Sequence, residues 1–210
     1  MSDSTIRLPS KDGEPAWEAA YFFPPQGEWS EETFLQFHTN RMAELVAGRL
    51  EILPMPTWLH QIIVDFLLTR IKDYLSDNDI GGIALMAPLP TMLFPGTIRE
   101  PDILYVRSEN VPDNIRGYPG KLDLAVEVVS EGVEARKRDY EDKRIDYAKA
   151  GVSEYWIVDP QDKVVTVLSL DGSQYVEHGV FSAGQVATSR LLEGLTIPVD
   201  AIWALEESGS

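Results

Sequence analysis

The sequence predicts a mixed α/β fold, and three observations carry that expectation. From Thr57 to Tyr74 the apolar residues Leu59, Ile62, Ile63, Phe66, Leu67, Ile71 and Tyr74 recur at the spacing of one helix face. Apolar runs of strand length follow near 83–87, 91–94, 102–106 and 122–129. A charged stretch of helical pattern, roughly 134–149, then separates these runs from three more, so the order is helix, strands, crossover helix, strands.

Taken in order, residues 1–28 are polar and rich in Gly and Pro and read as an N-terminal arm. Ser30-Glu31-Glu32 ahead of Phe34, Leu35 and Phe37 predicts a short helix capped by the serine hydroxyl. Residues 43–54 predict a hairpin that turns at Gly48. Gly81-Gly82 ends the long helix, and Gly151 ends the second one, as glycine often does at a helix C-terminus. The later strand runs are Glu154–Val158, Lys163–Leu168 and Gln174–Glu177, the last two joined by a turn at Asp171-Gly172. The tail after Glu206 is polar and reads as frayed. The expected division is an arm over 1–28, one domain over 29–205 and a tail over 206–210.

Composition narrows the class. At 210 residues, 44% hydrophobic and 25% charged, the chain is long enough for a full core of its own. It has no cysteine, which excludes disulfides and thiolate zinc sites. The first residues lack the apolar core of a signal peptide, and Asp65 interrupts the apolar stretch that begins at Ile62, so a soluble cytoplasmic protein is expected. The net charge of −16 argues against an ordinary basic nucleic-acid binder, because phosphate neutralisation needs Lys and Arg. The charge is uneven, however. Between Asn114 and Lys149 eight basic residues face eight acidic ones, while the rest of the chain holds ten basic against 26 acidic.

Within that balanced segment, and just before it, acids stand inside apolar strand-like runs. Asp102 opens Pro-Asp-Ile-Leu-Tyr-Val, and Glu127 lies in Leu-Asp-Leu-Ala-Val-Glu-Val-Val-Ser. A carboxylate there is costly to bury unless it is paired, hydrogen-bonded or bound to a metal. Strand alternation puts Leu122, Leu124, Val126 and Val128 on a core face, and Asp123, Ala125, Glu127 and Val129 on a face toward a cleft or helix. Taken singly, Glu127 fits an Arg-paired or edge-strand acid, and Asp102 fits a turn or cap residue. Together on neighbouring strands they would suit a hard divalent cation such as Mg²⁺, which binds through one or two carboxylates and keeps its waters. On the helix, Asp139 and Lys143 are i,i+4 partners with Tyr147 continuing the stripe, a pattern that an ordinary surface ion pair also explains.

The succession Pro101-Asp102, Asp123 to Ser130 with Glu127 inside it, Asp139 to Lys143, Tyr147, Gly151-Val152 and Glu154 to Pro160 resembles the Uma family of restriction endonuclease-like proteins, within the PD-(D/E)xK nuclease superfamily. The resemblance runs from about residue 30 to 203 and includes Ala43 to Leu50, similar to the family's early Glu-Leu-x-x-Gly hairpin. It implies a restriction-endonuclease-like α/β core: a central mixed β-sheet flanked by helices, with an N-terminal helix and β-hairpin. By position it makes Asp102 and Glu127 the motif acids and metal ligands and Glu44 a third ligand. Val129 stands where the superfamily pattern has its lysine, which moves that role to Lys143 on the following helix. His60 matches a histidine of the family's following helix and, with Asp139, is an accessory candidate. A single histidine on an amphipathic helix is also well explained as a half-buried, satisfied side chain. His38 and His178 read as incidental, and Trp156 as a packing residue.

The expected function is therefore a Mg²⁺- or Mn²⁺-dependent endonuclease acting on DNA, with Asp102, Glu127 and Lys143 catalytic. A homodimer is expected because many enzymes that cut both strands act as symmetric pairs. The alternative of a different class is a non-catalytic dimeric scaffold built on the nuclease fold, which the acidity favours. A weaker third is a metal phosphohydrolase acting on nucleotides. No zinc finger, helix-turn-helix or basic helix is visible, so no base readout can be assigned.

Overall fold

The computed structural model describes residues 23–37, 42–114 and 116–207, which leaves His38 and the first part of the expected arm outside. Helix α1 (Glu31–Leu35) begins where Ser30 Oγ accepts from the Thr33 amide at 3.1 Å, as the sequence predicts. Strands β1 (Ala43–Val46) and β2 (Arg49–Ile52) form the expected hairpin. Its turn residues Ala47 and Gly48 both have positive φ, and a Cβ at Gly48 would meet the Gly27 carbonyl oxygen at 2.6 Å, so glycine is required there.

Helix α2 (Trp58–Asp77) starts at Thr57, whose hydroxyl accepts from the His60 amide at 3.2 Å. It is followed by β3 (Ile83–Met86), β4 (Thr91–Phe94), β5 (Thr97–Arg99), β6 (Ile103–Val106) and β7 (Leu124–Val128). Helix α3 (Val133–Lys137) runs through a π-helical turn, Arg138–Asp142, into α4 (Lys143–Lys149). Then come β8 (Glu154–Asp159), β9 (Val164–Asp171), β10 (Gln174–Phe181), β11 (Val186–Thr188), β12 (Thr196–Pro198) and α5 (Val199–Glu207). The sequence did not predict β5, β11, β12 or α5.

The central sheet has six strands in the order β10-β9-β8-β7-β6-β3. It is mixed: β7 and β8 are parallel and every other pairing is antiparallel. A parallel neighbour needs a crossover, which α3 and α4 supply. A second sheet, β2-β1-β5-β4, is antiparallel throughout. Both faces of the central sheet are covered. Ile63, Leu67 and Ile71 of α2 and Ile202 of α5 pack with Leu124, Val126 and Val128 of β7. On the other face Tyr147 and Ala148 of α4 pack with Ala125 and Tyr155. The expected alternation along β7 thus places Glu127 toward α4. Leu122 departs from it and joins the α4 side, because regular strand begins only at Leu124. Trp156 packs in the α2 core, and its indole NH donates to buried Glu154 at 2.7 Å. Among the described residues no helix is long and apolar enough to cross a membrane.

Candidate active site

Lys143 opens α4 directly after the π-helical turn, a helix irregularity common at functional sites. Its ammonium lies 2.8 Å from Glu127 Oε1, 3.3 Å from Glu44 Oε1 and 3.8 Å from Asp139 Oδ1, with the lysine only 2% exposed. One turn on, the Tyr147 hydroxyl donates to the same Glu127 Oε1 at 2.6 Å. The i,i+4 stripe of the sequence therefore converges on the strand acid instead of facing water. Both contacts fall on Oε1, which leaves Oε2 for another partner.

Asp102, just before β6, fastens that strand to β7. Its Oδ2 accepts from the Val128 amide at 2.7 Å, and its Oδ1 lies 3.1 Å from His60 Nε2 on α2. Glu44, on β1, is engaged on both oxygens. Oε1 accepts from the Glu100 amide at 2.9 Å, and Oε2 from Arg99 Nη1 at 2.8 Å. Arg99 turns its remaining fork to α4, where Nε and Nη2 donate to Asp146 Oδ2 at 3.0 and 2.6 Å. A fully buried arginine thus links β1, β5 and α4, and planar multidentate contact is what a guanidinium supplies and an ammonium does not.

Acid outnumbers base here. Glu44, Glu100, Asp102, Glu127 and Asp139 are all buried, against buried Lys143 and Arg99. Burial, with the charges of Asp102, Asp139 and Glu44, pushes the Glu127 carboxyl up to about 8 despite the opposing pull of Lys143. Burial and Glu44 push Glu100 up to about 7, and burial raises Asp139 as well. Burial acts the same way on Glu44, but Lys143 and Arg99 outweigh it and hold this carboxyl below its ordinary value. Burial alone would lower Lys143, whereas Glu127, Glu44 and Asp139 keep it firmly protonated. A buried pocket with this excess of carboxylates attracts a proton or a cation.

His60, Asp102, Glu127, Arg138, Asp139 and Lys143 line a cleft of about 30 Å³, room for a hydrated contact and little more. Beside it, sharing Pro54, His60 and Ser130, lies a wider cleft of about 440 Å³ with mixed charge from Glu131, Lys163 and Glu206. For a divalent ion of the Mg²⁺ type, the small cleft offers Glu127 and Asp102, and Asp139 Oδ1 is buried there without a hydrogen-bond partner. These oxygens fit an ion held by one or two carboxylates and water. The three-carboxylate set expected from the sequence does not assemble as a cage: among the described residues no three His, Asp or Glu side chains converge in metal-binding geometry. Glu44 is the acid that departs: it does not line the small cleft, and Arg99, the Glu100 amide and Lys143 engage its oxygens.

Other candidates resolve differently. Asp123 is an anchor for the loop after β6, accepting from the Arg107 amide at 2.8 Å and from Asn110 at 2.9 Å. His178 contacts Thr188 far along the sheet, at 2.9 Å. Arg99, Glu100, Asp146 and the bond made by Tyr147 are not singled out by the sequence. The charged pair Arg99-Glu100 next to Pro101-Asp102 was the available signal.

A central mixed sheet flanked by helices, with a buried acid of β7 meeting a lysine at the start of α4, defines a mixed α/β protein. The same fold occurs in the crystal structure of a protein from Anabaena variabilis described as "a putative nuclease belonging to DUF820". The two superpose with a TM-score of 0.69 over 84% of this chain and 98% of that one, at 18% identity. At that identity the likeness establishes the fold alone. The Uma2 family, described as "Putative restriction endonuclease", matches residues 30–200, and the chain belongs to that family. No curated protein matches the sequence.

Proposed function

We propose that the protein is a divalent-metal-dependent endonuclease that hydrolyses DNA phosphodiester bonds. The observation that carries this reading is the 2.8 Å approach of Lys143 Nζ to Glu127 Oε1 inside a cleft that Asp102 and Asp139 also line. Asp102 and Glu127 would hold Mg²⁺ or Mn²⁺, with Asp139 close by. When bound, the ion lowers the pKa of water and offsets charge on the phosphoryl group.

The chain's own residues prepare that chemistry. His60 and the Val128 amide fix the Asp102 carboxylate, and Tyr147 fixes Glu127 through Oε1. Lys143, held protonated by its acids, acts as a fixed positive charge that orients water and stabilises the oxygens of the pentacovalent transition state. Glu44 restrains Nζ at 3.3 Å and is itself braced by Arg99 and Asp146. The larger neighbouring cleft gives the strand a place to lie.

Plasmid and oligonucleotide cleavage in Mn²⁺ or Mg²⁺ tests the proposal. Cleavage by the wild type that chelator, Lys143→Ala and Glu127→Gln each abolish is the expected result. The net charge of −16 favours the second reading, a non-catalytic scaffold, and a wild type inert toward DNA, RNA and nucleotides in both metals would establish it.

A further inference from the structure

Strand β3 is the free edge of the central sheet, paired on one side to β6 and to no other strand among the described residues. Natural edges are guarded by charge, bulges or covering segments, because an open row of amides and carbonyls templates further pairing. The opposite edge is guarded in this way. Strand β10 carries Glu177, is bulged between Glu177 and Gly179, and is tied to β11 by the His178–Thr188 contact. Among the described residues strand β3 has no such guard: it is Ile-Ala-Leu-Met, and Ile83, Leu85 and Met86 are 42%, 40% and 38% exposed. It lies in the longest stretch of the chain without Asp, Glu, Lys or Arg, Ile80 to Ile98. Ile83 and Leu85 also line an apolar cleft of about 210 Å³ with Leu89, Val111, Pro112 and Pro119.

We propose that β3 is the contact between two copies of this chain, which join their central sheets by antiparallel pairing of this strand about a two-fold axis. The self-complementary register of β3 selects a second copy as the occupant, and charge limits where that copy can approach. Two molecules of net charge −16 repel wherever their acidic surfaces face, and an uncharged sheet edge is where they can approach. An oppositely charged partner would be drawn to the acidic surface instead.

The register follows from the ladder. The Ala87 amide donates to the Asp102 carbonyl at 3.0 Å, so by antiparallel alternation Ile83 and Leu85 bond to β6 while Ala84 and Met86 present their amides and carbonyls outward. A two-fold axis normal to the sheet keeps each face on its own side, so it passes through a residue that pairs with itself. Ala84 opposite Ala84 of the partner subunit satisfies this and exchanges both backbone hydrogen bonds. It sets Ile83 opposite Leu85 of the partner subunit, closing both apolar clefts along one continuous face.

Light scattering and sedimentation of the full chain at micromolar concentration test the pairing. The expected mass is twice 23.5 kDa, falling to the monomer value in Leu85→Lys. Because the chain has no native cysteine, the double variant Ile83→Cys, Leu85→Cys is expected to form a crosslinked dimer on oxidation. This second arm reads the register directly and does not depend on how well the lysine variant folds. A monomeric wild type overturns the proposal. So does a dimer that persists in Leu85→Lys while the cysteine variant fails to crosslink. Neither readout involves metal or DNA, so the dimer and the nuclease reading stand or fall separately.

Discussion

Lys143 Nζ and Glu127 Oε1 lie 2.8 Å apart in a pocket that water barely reaches, joining the start of α4 to the middle of β7. Buried ion pairs are costly to form, and their worth shows most clearly when one partner is removed. Lys143→Met leaves Glu127, Glu44 and Asp139 without their common cation. The expected loss is about 3–5 kcal/mol of stability in denaturant unfolding, together with complete loss of cleavage. A variant as stable as the wild type would show that this pair is not buried as described.

Arg99 is the second point of stress. Its guanidinium serves Asp146 through two nitrogens and Glu44 through a third, an arrangement that an ammonium cannot reproduce. Arg99→Lys is therefore expected to destabilise the fold by about 2–4 kcal/mol, despite conserving charge. It is also expected to lower cleavage, because Glu44 then restrains Lys143 less well. A change under about 0.5 kcal/mol, the size of an ordinary surface effect, would contradict the bracing role.

Tyr147 acts on one bond. Its hydroxyl donates to Glu127 at 2.6 Å while its ring packs against Tyr155 at 5.0 Å between centroids. Tyr147→Phe keeps the ring and removes the donor, with an expected cost of about 1–3 kcal/mol, the range for leaving a buried polar group without its partner. Activity is expected to fall while metal binding persists. Unfolding curves and Mn²⁺ titration on the same sample separate the two effects.

The strand acid also makes stability depend on pH. In the fold, burial holds the Glu127 carboxyl at about 8, against 4.5 for the ordinary group, and Glu100 at about 7. The folded state therefore keeps protons that the unfolded chain has released. The contribution of these two carboxyls is full below about 4.5 and declines as pH rises toward 8, because the unfolded state binds fewer protons in that window. Melting temperatures in chelator from pH 5 to 9 are expected to fall with pH, and to fall less in Glu127→Gln, where Glu100 remains. Parallel profiles for the two proteins would contradict the assignment.

The sequence displayed the parts of this site more plainly than their connections. Asp102 and Glu127 were legible because a carboxylate inside an apolar strand run is conspicuous, and helical spacing predicted α2 nearly to its full length. Lys143 could not be chosen from charge alone, since Arg136, Lys137, Arg138 and Arg144 surround it on the same segment. Its selection by the fold depends on the π-helical turn and on Glu127 facing α4, which are properties of packing. Arg99 was hidden for a related reason: it ends a three-residue strand too short to give a periodic signal. Strands β11 and β12 are equally short, and α5 follows Pro198 directly with no spacer to announce it. Glu44 was visible as an acid, but only the neighbouring Arg99 shows that its oxygens are already engaged.

Calorimetric titration of Mn²⁺ into the wild type, Asp102→Ala, Glu127→Ala and Lys143→Ala tests the central claim most directly. The expected result is binding to the wild type that both acid variants lose and Lys143→Ala retains, because the lysine is a charge beside the ion and not a ligand. Absence of binding to the wild type at millimolar Mn²⁺ would contradict the metal site, and with it the nuclease reading of these buried acids.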